Sequence, residues 1–247
     1  AAEGGYPVTG GTDAPGSPHI GEDLGRLAGS PALQGVAPVT DAVAAATGAR
    51  VWVDFTTPAA TLGALDALRH TSVTGVIIGT TGFSAGDLSS IERASQNFAI
   101  VKAGNFSLGV AMLAALVKIA AERLGPDWDV DVLETHHRRK VDAPSGTALM
   151  LGEALAEGRG APLDTLRAPP YDGAAAARNP GEIGFAVRRA GGLVGAHEVL
   201  FASEQETLRL AHTALDRAVF AEGALTAARW AAGQPPGLYT IQDVLGL

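Results

Sequence analysis

Three short apolar runs, separated by helix-forming segments, constrain what the first part of this chain can fold into. The runs cover residues 51–55, 73–78 and 98–101, and the segments between them predict helices near 58–69 and 85–96. Thr57 and Pro58 are typical of a helix start, and Ser84 with Asp87 has the spacing of a capping box. Because strands that alternate with helices indicate parallel βαβ units, we predict an α/β domain up to about residue 107.

The pattern changes after residue 107, where a long apolar helix is predicted from Ser107 to Leu124. Alternation of apolar and polar residues predicts half-exposed strands of an antiparallel or mixed sheet in the runs 128–135, 183–187, 193–201 and 207–212. The remaining segments predict a helix at 145–157, a long surface loop at 158–181 and a last helix at 217–232. Two domains are therefore expected, one of residues 1–107 with 217–247 and an α+β one of residues 108–216.

Charge and composition narrow the class of partner. A formal net charge of −8 argues against nucleic acid or an anionic membrane as a partner, because both require a basic surface. No apolar run reaches the roughly 18 to 20 residues that a membrane span needs. The chain has no cysteine, which excludes disulfides, a thiolate nucleophile and cysteine-ligated zinc, and which fits a cytoplasmic location.

Residues 134–147 carry the densest chemistry in the chain. Two histidines and three fixed cations lie within 136–140, and Ser145 then opens an apolar helix. A helix N-terminus offers unpaired N–H groups and partial positive charge, Gly146 allows close approach, and Thr147 adds a hydroxyl. Because clustered cations repel one another unless an anion lies among them, we predict a site that binds an anion and donates protons. A solvated basic loop is the alternative.

The residue types in this segment suggest separate roles. A lysine surrounded by cations suits general acid catalysis, and a histidine can donate a proton or bind a carboxylate near neutral pH. A zinc site is disfavoured, because adjacent strand side chains point to opposite faces and the cations oppose a metal; its ligands would be Glu134, His136, His137 and Asp142. No metal is expected, and Ser145 lacks the Gly-x-Ser-x-Gly context of a nucleophile.

Small and polar residues follow the predicted strands of the first domain. The loop 79–82 contains Thr80 and Thr81, and Asn105 with Phe106 follows the third strand. In open α/β sheets ligands bind at the carboxyl ends of strands, and an acid such as Asp13 at a strand end can bind a ribose diol. A nucleotide site and ordinary turns both explain these residues.

Taken together, these residues resemble a known family. Residues 134–148 closely resemble the signature of bacterial dihydrodipicolinate reductases, and further matching segments follow in order at 54–56, 79–83, 105–107, 181–185 and 243–245. The resemblance implies reduction by NADH or NADPH of a cyclic dicarboxylate imine, in lysine and diaminopimelate biosynthesis. It also implies a Rossmann-like cofactor domain, a substrate-binding and oligomerisation domain, and a homotetramer formed through the second-domain sheet.

The resemblance further implies a role for each matching position. His136 and Lys140 would be the catalytic proton-handling pair. The residues that would hold the dicarboxylate are His137, Ser145, Gly146 and Thr147. The residues that would contact the cofactor are Asp13, Phe55, Thr56, Gly79, Thr80, Thr81, Ala103, Gly104, Asn105 and Phe106.

The start of the sequence departs from the family pattern. A first strand and its Gly-x-x-Gly-x-x-Gly phosphate turn have no counterpart here, since Gly4–Gly5 and Gly10–Gly11 lack the strand–turn–helix context. We therefore expect a first domain without that strand. A cofactor-defective member that binds the dicarboxylate or assembles without turnover is a second hypothesis, and a non-enzymatic anion-binding module is a third. Ala14 stands where an arginine could hold a 2′-phosphate, so NADH is favoured over NADPH.

Overall fold

The computed structural model describes residues 6–172 and 177–247, and Gly4–Gly5 lies outside them. The described chain divides into two compact units. The first takes in the chain up to Gly104 together with Gly223–Val244, and the second takes in Asn105–Glu222 with the last three residues.

The first unit contains a parallel sheet flanked by helices, as predicted for an α/β domain. The sheet has the order β10–β5–β4–β3, and a separate two-stranded parallel sheet pairs β1 with β2. The strands are β1 (Gly11–Thr12), β2 (Pro38–Val39), β3 (Val51–Asp54), β4 (Gly75–Ile78), β5 (Ala99–Lys102) and β10 (Gly237–Tyr239). The helices are α1 (Leu24–Ala28), α2 (Ala42–Ala45), α3 (Pro58–Leu68), α4 (Ala85–Ala94), most of α8 (Ala218–Ala231) and α9 (Ile241–Leu245), with a short 3₁₀ turn at Pro31–Leu33.

Local sequence explains where these helices begin. The Thr57 side chain accepts the Ala60 N–H at the start of α3, and the predicted capping box of Ser84 and Asp87 is formed at the start of α4. All four residues of β4 are buried, as expected for a parallel strand covered on both faces. The core of this unit includes Leu65, Leu68, Val76, Ile78, Ile91 and Ile100.

The chain end adds a strand that the sequence patterns did not predict. Residues Gly237–Tyr239 form β10, which pairs in parallel with β5. The run is only three residues long and follows a Pro–Pro pair, so it carries no strand periodicity of its own.

The second unit has a mixed sheet with two long helices, as predicted for an α+β domain. Its elements are α5 (Leu108–Leu124), β6 (Asp129–His136), α6 (Gly146–Gly158), α7 (Leu163–Leu166), β7 (Ile183–Arg189), β8 (Gly195–Ala202) and β9 (Thr207–Ala214). The strand order is β7–β6–β8–β9, with β6 and β7 parallel and the other pairs antiparallel. Alternate residues of β6 are buried, and Val130 and Val132 pack in the core with residues of α5 and α6.

The prediction of a long surface loop over 158–181 is wrong in part. Within the described residues this segment contains α7, and Arg167 pairs with Ile183 next to β7. Two half-buried arginines hold the segment to the sheet. Arg159 donates to the carbonyls of Gly181 and Trp128, at 2.7 and 2.6 Å, and Arg178 pairs with Asp129 and Asp131. The two bonds of Arg159 satisfy backbone carbonyls. The spacing of apolar residues in the sequence gives no sign of such contacts.

Among residues 6–172 and 177–247, no helix is long and apolar enough to cross a membrane.

Candidate active site

The segment that the sequence singled out runs from the end of β6 to the start of α6. His136 is the last residue of β6, one position later than the predicted strand end, and is buried with only 8% of its surface exposed. The chain then turns, with the Lys140 N–H donating to the His137 carbonyl at 3.1 Å, and Ser145 caps α6 through the Ala148 N–H. The predicted helix start at Ser145 is confirmed.

A buried glutamate organises this segment. Glu134 is 1% exposed, and its carboxylate accepts two hydrogen bonds from Arg189, at 3.0 and 3.1 Å, and one from the Ser145 N–H at 3.1 Å. Its remaining partner is Nδ1 of His136. Burial alone would raise the pKa of Glu134, but the hydrogen bonds and charges of Arg189 and His136 outweigh burial and hold the pKa below its ordinary value. Glu134 is therefore a fully bonded carboxylate at neutral pH, and its oxygens are not available as zinc ligands.

The glutamate fixes the orientation of the His136 ring. Because Nδ1 faces Glu134, Nε2 is the ring nitrogen left for another partner. A Cβ atom at position 195 would lie 3.0 Å from this Nε2, so Gly195 leaves room beside it. A carboxylate that holds one ring nitrogen of a histidine is the arrangement by which general acids and bases are oriented. The sequence could have revealed this pair, since Glu134 and His136 lie two residues apart on a strand and therefore share a face.

A second histidine supports the first. The rings of His197 and His136 meet edge to face with centroids 5.1 Å apart, and His197 Nε2 lies 3.1 Å from the Ser145 hydroxyl. Burial, with the charge of His136 second, lowers the pKa of His197 to about 4. His197 is therefore neutral at pH 7 and links β8 to the start of α6. Its contribution was not predicted, because it lies 52 positions after Ser145.

Lys140 is held by a carboxylate that was not predicted to partner it. Its ammonium Nζ lies 2.9 Å from Oδ2 of Asp142, and this hydrogen bond is the main reason that the pKa of Asp142 is lowered. Arg189 also donates to the backbone carbonyls of Lys140, at 3.4 Å, and Asp142, at 2.6 Å. One arginine therefore fixes both the glutamate behind His136 and the turn that carries Lys140.

The start of α6 presents free donors, which we call the anion seat: the N–H groups of Gly146 and Thr147 and the Thr147 hydroxyl. Gly146 is exposed, and these two N–H groups have no acceptor within the described part of the chain. The Thr147 hydroxyl oxygen accepts a hydrogen bond from the Asn105 side chain at 2.9 Å. Ser145 lies behind the seat, because its N–H is bonded to Glu134 and its hydroxyl caps α6 and contacts His197.

His137 lies in a strongly basic environment. Burial lowers its pKa, and the nearby charges of Arg139, Arg217, His136 and Lys140 lower it further. Its Nδ1 has no hydrogen-bond partner in the described chain. Arg217 was missed by sequence reasoning, since it lies far along the chain and outside any motif. This concentration of positive charge would stabilise an anion bound beside His137.

In the first unit, the predicted cofactor residues after β3 and β4 surround a buried aspartate. Oδ1 of Asp54 accepts hydrogen bonds from the Thr56 N–H and hydroxyl, from Thr61 and from Thr80, at 2.7–3.1 Å. The Phe55 ring is half exposed and lies against Gly79, where an added Cβ would approach it to 2.1 Å. Gly79 therefore leaves the space that this aromatic ring occupies.

The remaining candidates of this unit follow other strands. Thr81 is exposed after β4, and Ala103 and Gly104 follow β5, which is parallel to β4. Asp13 follows β1 and accepts hydrogen bonds from the Ser17 hydroxyl, at 2.6 Å, and the Ala14 N–H, at 2.7 Å, which lower its pKa. Carboxyl ends of β3, β4 and β5 lie at one edge of their sheet, as the sequence predicted.

Two of the predicted cofactor residues lie in the second unit. Asn105 bonds to Thr147 of the anion seat, and the Phe106 ring is buried with 1% of its surface exposed. A buried ring offers a ligand no stacking surface, so the Phe106 side chain does not serve as a stacking platform.

Comparison with known proteins identifies the family. A family model described as "Dihydrodipicolinate reductase, N-terminus" matches residues 2–106, and one described as "Dihydrodipicolinate reductase, C-terminus" matches residues 109–245. The chain belongs to the dihydrodipicolinate reductase family. Its two matched regions meet between residues 106 and 109, close to where the two compact units divide.

Individual members of the dihydrodipicolinate reductase family resemble nearly the whole chain. Proteins named 4-hydroxy-tetrahydrodipicolinate reductase from Parvibaculum lavamentivorans and Ruegeria pomeroyi are each 50% identical to it. The matches cover 98% and 97% of this chain and 89% and 88% of those proteins. A solved structure of dipicolinate-bound dihydrodipicolinate reductase from Paenisporosarcina sp. TG-14 covers 94% of this chain and 87% of that one, with a TM-score of 0.73 and 24% identity. This likeness confirms the predicted fold class, including a Rossmann-like first unit.

Proposed function

We propose that this chain reduces dihydrodipicolinate, or its 4-hydroxy-tetrahydro form, to tetrahydrodipicolinate in diaminopimelate and lysine biosynthesis. One observation carries the proposal in a chain of this family. A buried glutamate, Glu134, holds His136, and the arginine that binds Glu134, Arg189, also fixes the turn of Lys140. The relatives cited above carry the name of the reductase, which does not favour a cofactor-defective member.

The anion seat suits one carboxylate of this substrate. Its backbone N–H groups and the Thr147 hydroxyl are donors at a helix N-terminus, where partial positive charge stabilises an anion. His137, in its basic environment, is proposed to hold substrate carboxylate together with Gly146 and Thr147. Ser145 supports the seat by capping α6. A dianionic substrate also accounts for the surrounding cations, whose mutual repulsion it offsets.

His136 and Lys140 are proposed to handle the proton. Reduction of the cyclic imine adds a hydride to a ring carbon and a proton to the ring nitrogen, and the 4-hydroxy form must also release its hydroxyl as water. A positioned acid is therefore required. Lys140 can donate from Nζ, which Asp142 holds, and His136 can donate or relay a proton from Nε2 because Glu134 holds its other nitrogen. A reduced pyridine nucleotide supplies the hydride when bound.

The first unit is proposed to bind that pyridine nucleotide. The half-exposed Phe55 ring, the threonines at the ends of β3 and β4 and residues 103–104 after β5 fit a planar, hydrogen-bonding group. Asp13 is held as a carboxylate, which suits a ribose diol and repels a 2′-phosphate. We therefore propose NADH as the preferred cofactor. NADH and NADPH titrations of the whole chain, with tighter binding of NADPH as the contradicting result, test that preference.

The wider assignment follows the family resemblance. We propose a cofactor domain of residues 1–107 with 217–247, a substrate and assembly domain of residues 108–216, a homotetramer, and a cytoplasmic location. The net charge of −8 supports the expectation that neither nucleic acid nor an anionic membrane is a partner.

Separate titrations test whether both ligands bind. We expect the whole chain to bind pyridine-2,6-dicarboxylate, a planar dianion, and to bind NADH. Dicarboxylate binding without NADH binding would support the cofactor-defective alternative. Binding of neither ligand would contradict the proposed function.

A further inference from the structure

Asn105 makes two hydrogen bonds that fix the direction of its side-chain amide. Oδ1 accepts the Ser107 N–H at 2.8 Å, and Nδ2 donates to the Thr147 hydroxyl oxygen at 2.9 Å. Of the two ends of the amide only the oxygen can accept a backbone N–H, so the amide cannot be flipped without losing the first bond. The NH₂ group therefore faces Thr147.

This direction determines what the Thr147 hydroxyl can do. An amide NH₂ group donates and cannot accept, so the hydroxyl oxygen is the acceptor in this bond. The hydroxyl hydrogen is left to donate to a different partner. Thr147 is the second residue of α6 and follows the exposed Gly146, so an anion at this helix start is the natural acceptor.

We propose that Asn105 is a positioning residue of the anion seat, which orients the Thr147 hydroxyl to donate to a carboxylate of the dicarboxylate substrate. The family resemblance placed Asn105 among the cofactor residues, whereas its side chain is committed to the substrate side. This inference rests on the proposed function, because it assumes that the anion bound at the seat is that dicarboxylate.

The other end of Asn105 is anchored by the start of α5. Ser107 is 2% exposed, its hydroxyl caps α5 through the Val110 N–H at 3.3 Å, and it lies 3.3 Å from Nε2 of His212. Burial lowers the pKa of His212, which keeps this partner neutral. The amide is therefore attached to a capped helix start, and it transmits that rigidity to Thr147.

Two substitutions and their combination separate positioning from other effects. Asn105→Ala removes the donor, and Thr147→Val removes the hydroxyl while keeping its shape. Each is expected to raise the Kd of pyridine-2,6-dicarboxylate roughly tenfold, the size of one lost hydrogen bond to an anion. The double variant is expected to lose the same roughly tenfold, because Asn105 acts only through the Thr147 hydroxyl. Calorimetric titration of the whole chain measures all four Kd values.

Controls and a second ligand complete the experiment. Asn97→Ala, at an exposed asparagine of the first unit, should leave the Kd within about twofold of wild type. Thermal unfolding checks that each variant is folded, and Thr147→Val leaves the Asn105–Ser107 bond intact if Asn105→Ala disturbs α5. Multiplied losses near a hundredfold in the double variant would overturn the inference, as would an Asn105→Ala variant that binds NADH more weakly but the dicarboxylate normally. If wild type binds no dicarboxylate, the proposed function itself fails first.

Discussion

At the scale of single residues, one buried carboxylate determines how the proposed acid is presented. Glu134 makes four hydrogen bonds to three residues and has almost no exposed surface, so within the described chain its charge is stabilised by Arg189, His136 and the Ser145 N–H. A buried ion pair of this kind contributes little net stability, but removal of one partner is costly because the other charge stays buried. Variants of Glu134 and its partner can therefore separate the effect of this carboxylate on stability from its effect on catalysis.

Glu134→Gln is expected to lower both stability and turnover. The free energy of unfolding should fall by about 3 kcal/mol or more, because the Arg189 charge loses its buried partner. The kcat should fall roughly 10²-fold, because His136 loses the group that orients it. Urea unfolding and steady-state kinetics measure the two effects.

A compensating variant distinguishes these effects. Adding Arg189→Met to Glu134→Gln should restore part of the stability but leave kcat low, since the carboxylate is still absent and the turn of Lys140 also loses its Arg189 contacts. Glu157→Gln is the matched control, because Glu157 forms an exposed ion pair with Lys118 and should change either quantity little. A Glu134→Gln variant with wild-type kcat would contradict the role given to Glu134.

His197 makes stability depend on pH in a defined window. Its folded pKa of about 4 lies below the ordinary 6.5, so between these values the unfolded chain binds a proton that the folded chain does not. Stability therefore rises with pH across this window and is lost as pH falls from about 6.5 towards 4, by roughly 3 kcal/mol in total. Glu134 acts in the same direction only below its ordinary value of 4.5.

Urea unfolding at several pH values tests this dependence. His197→Gln keeps an acceptor for Ser145 but cannot titrate, so the slope between pH 4 and 6.5 should be shallower than in wild type. The control His70→Gln, at an exposed histidine, should keep the wild-type slope. An identical slope in His197→Gln would show that His197 is not held neutral in the folded chain.

The sequence predicted those site residues whose partners lie close to them along the chain. The segment 134–147 was recognisable because its donors and cations are adjacent in sequence. Arg189 lies 55 positions from Glu134 and His197 lies 52 positions from Ser145, so their contacts exist only after β7 and β8 pair with β6. No local pattern marks such residues as part of the site.

At the scale of elements, α5 and α6 pack closely because glycine occupies the contact. A Cβ at Gly158, the last residue of α6, would lie 2.4 Å from the Lys118 carbonyl oxygen and 2.9 Å from the Ala121 side chain. The first of these atoms is backbone, so it cannot move aside without displacing α5. The spacing of α6, which begins with Gly146 and Thr147, and α5, which begins three residues after Asn105, therefore depends on this glycine.

Gly158→Ala is expected to destabilise the chain by about 1–3 kcal/mol through overpacking. The matched substitution Gly63→Ala, inside α3 and with open space around the added methyl group, should instead stabilise by about 0.5–1 kcal/mol. Differential urea unfolding of the two variants measures both signs. Equal effects in the two variants would contradict a close contact at Gly158.

The elements themselves were predictable where their signals are local. The start of α4 was predicted because its capping box lies within four residues, and β6 because alternation over eight residues gives a period. The strand β10 and the helix α7 were missed, because each is shorter than the window in which a period can be detected. Both are held by contacts with other parts of the chain. The strand β10 pairs with β5, and Leu163 of α7 packs in the core of the second unit.

At the scale of the whole molecule, the proposed chemistry draws on both units. The second unit, Asn105–Glu222, contains the residues proposed to hold the dicarboxylate and donate the proton. The first unit, which includes the chain up to Gly104, contains most of those proposed to bind the pyridine nucleotide. The family models match both units, which supports a reductase that needs each of them. Lys140 is proposed to protonate the bound imine during its reduction, a step that needs both sets of residues.

Turnover of the whole chain with and without this lysine tests that claim most directly. Loss of NADH absorbance in the presence of the dicarboxylate imine measures kcat for wild type and for Lys140→Ala, and pyridine-2,6-dicarboxylate titration and thermal unfolding confirm that the variant is folded. We predict imine-dependent NADH oxidation by wild type and a kcat lower by roughly 10²- to 10⁴-fold in Lys140→Ala, with the fold intact. Near-normal turnover by Lys140→Ala, or no imine-dependent oxidation by wild type, would contradict it.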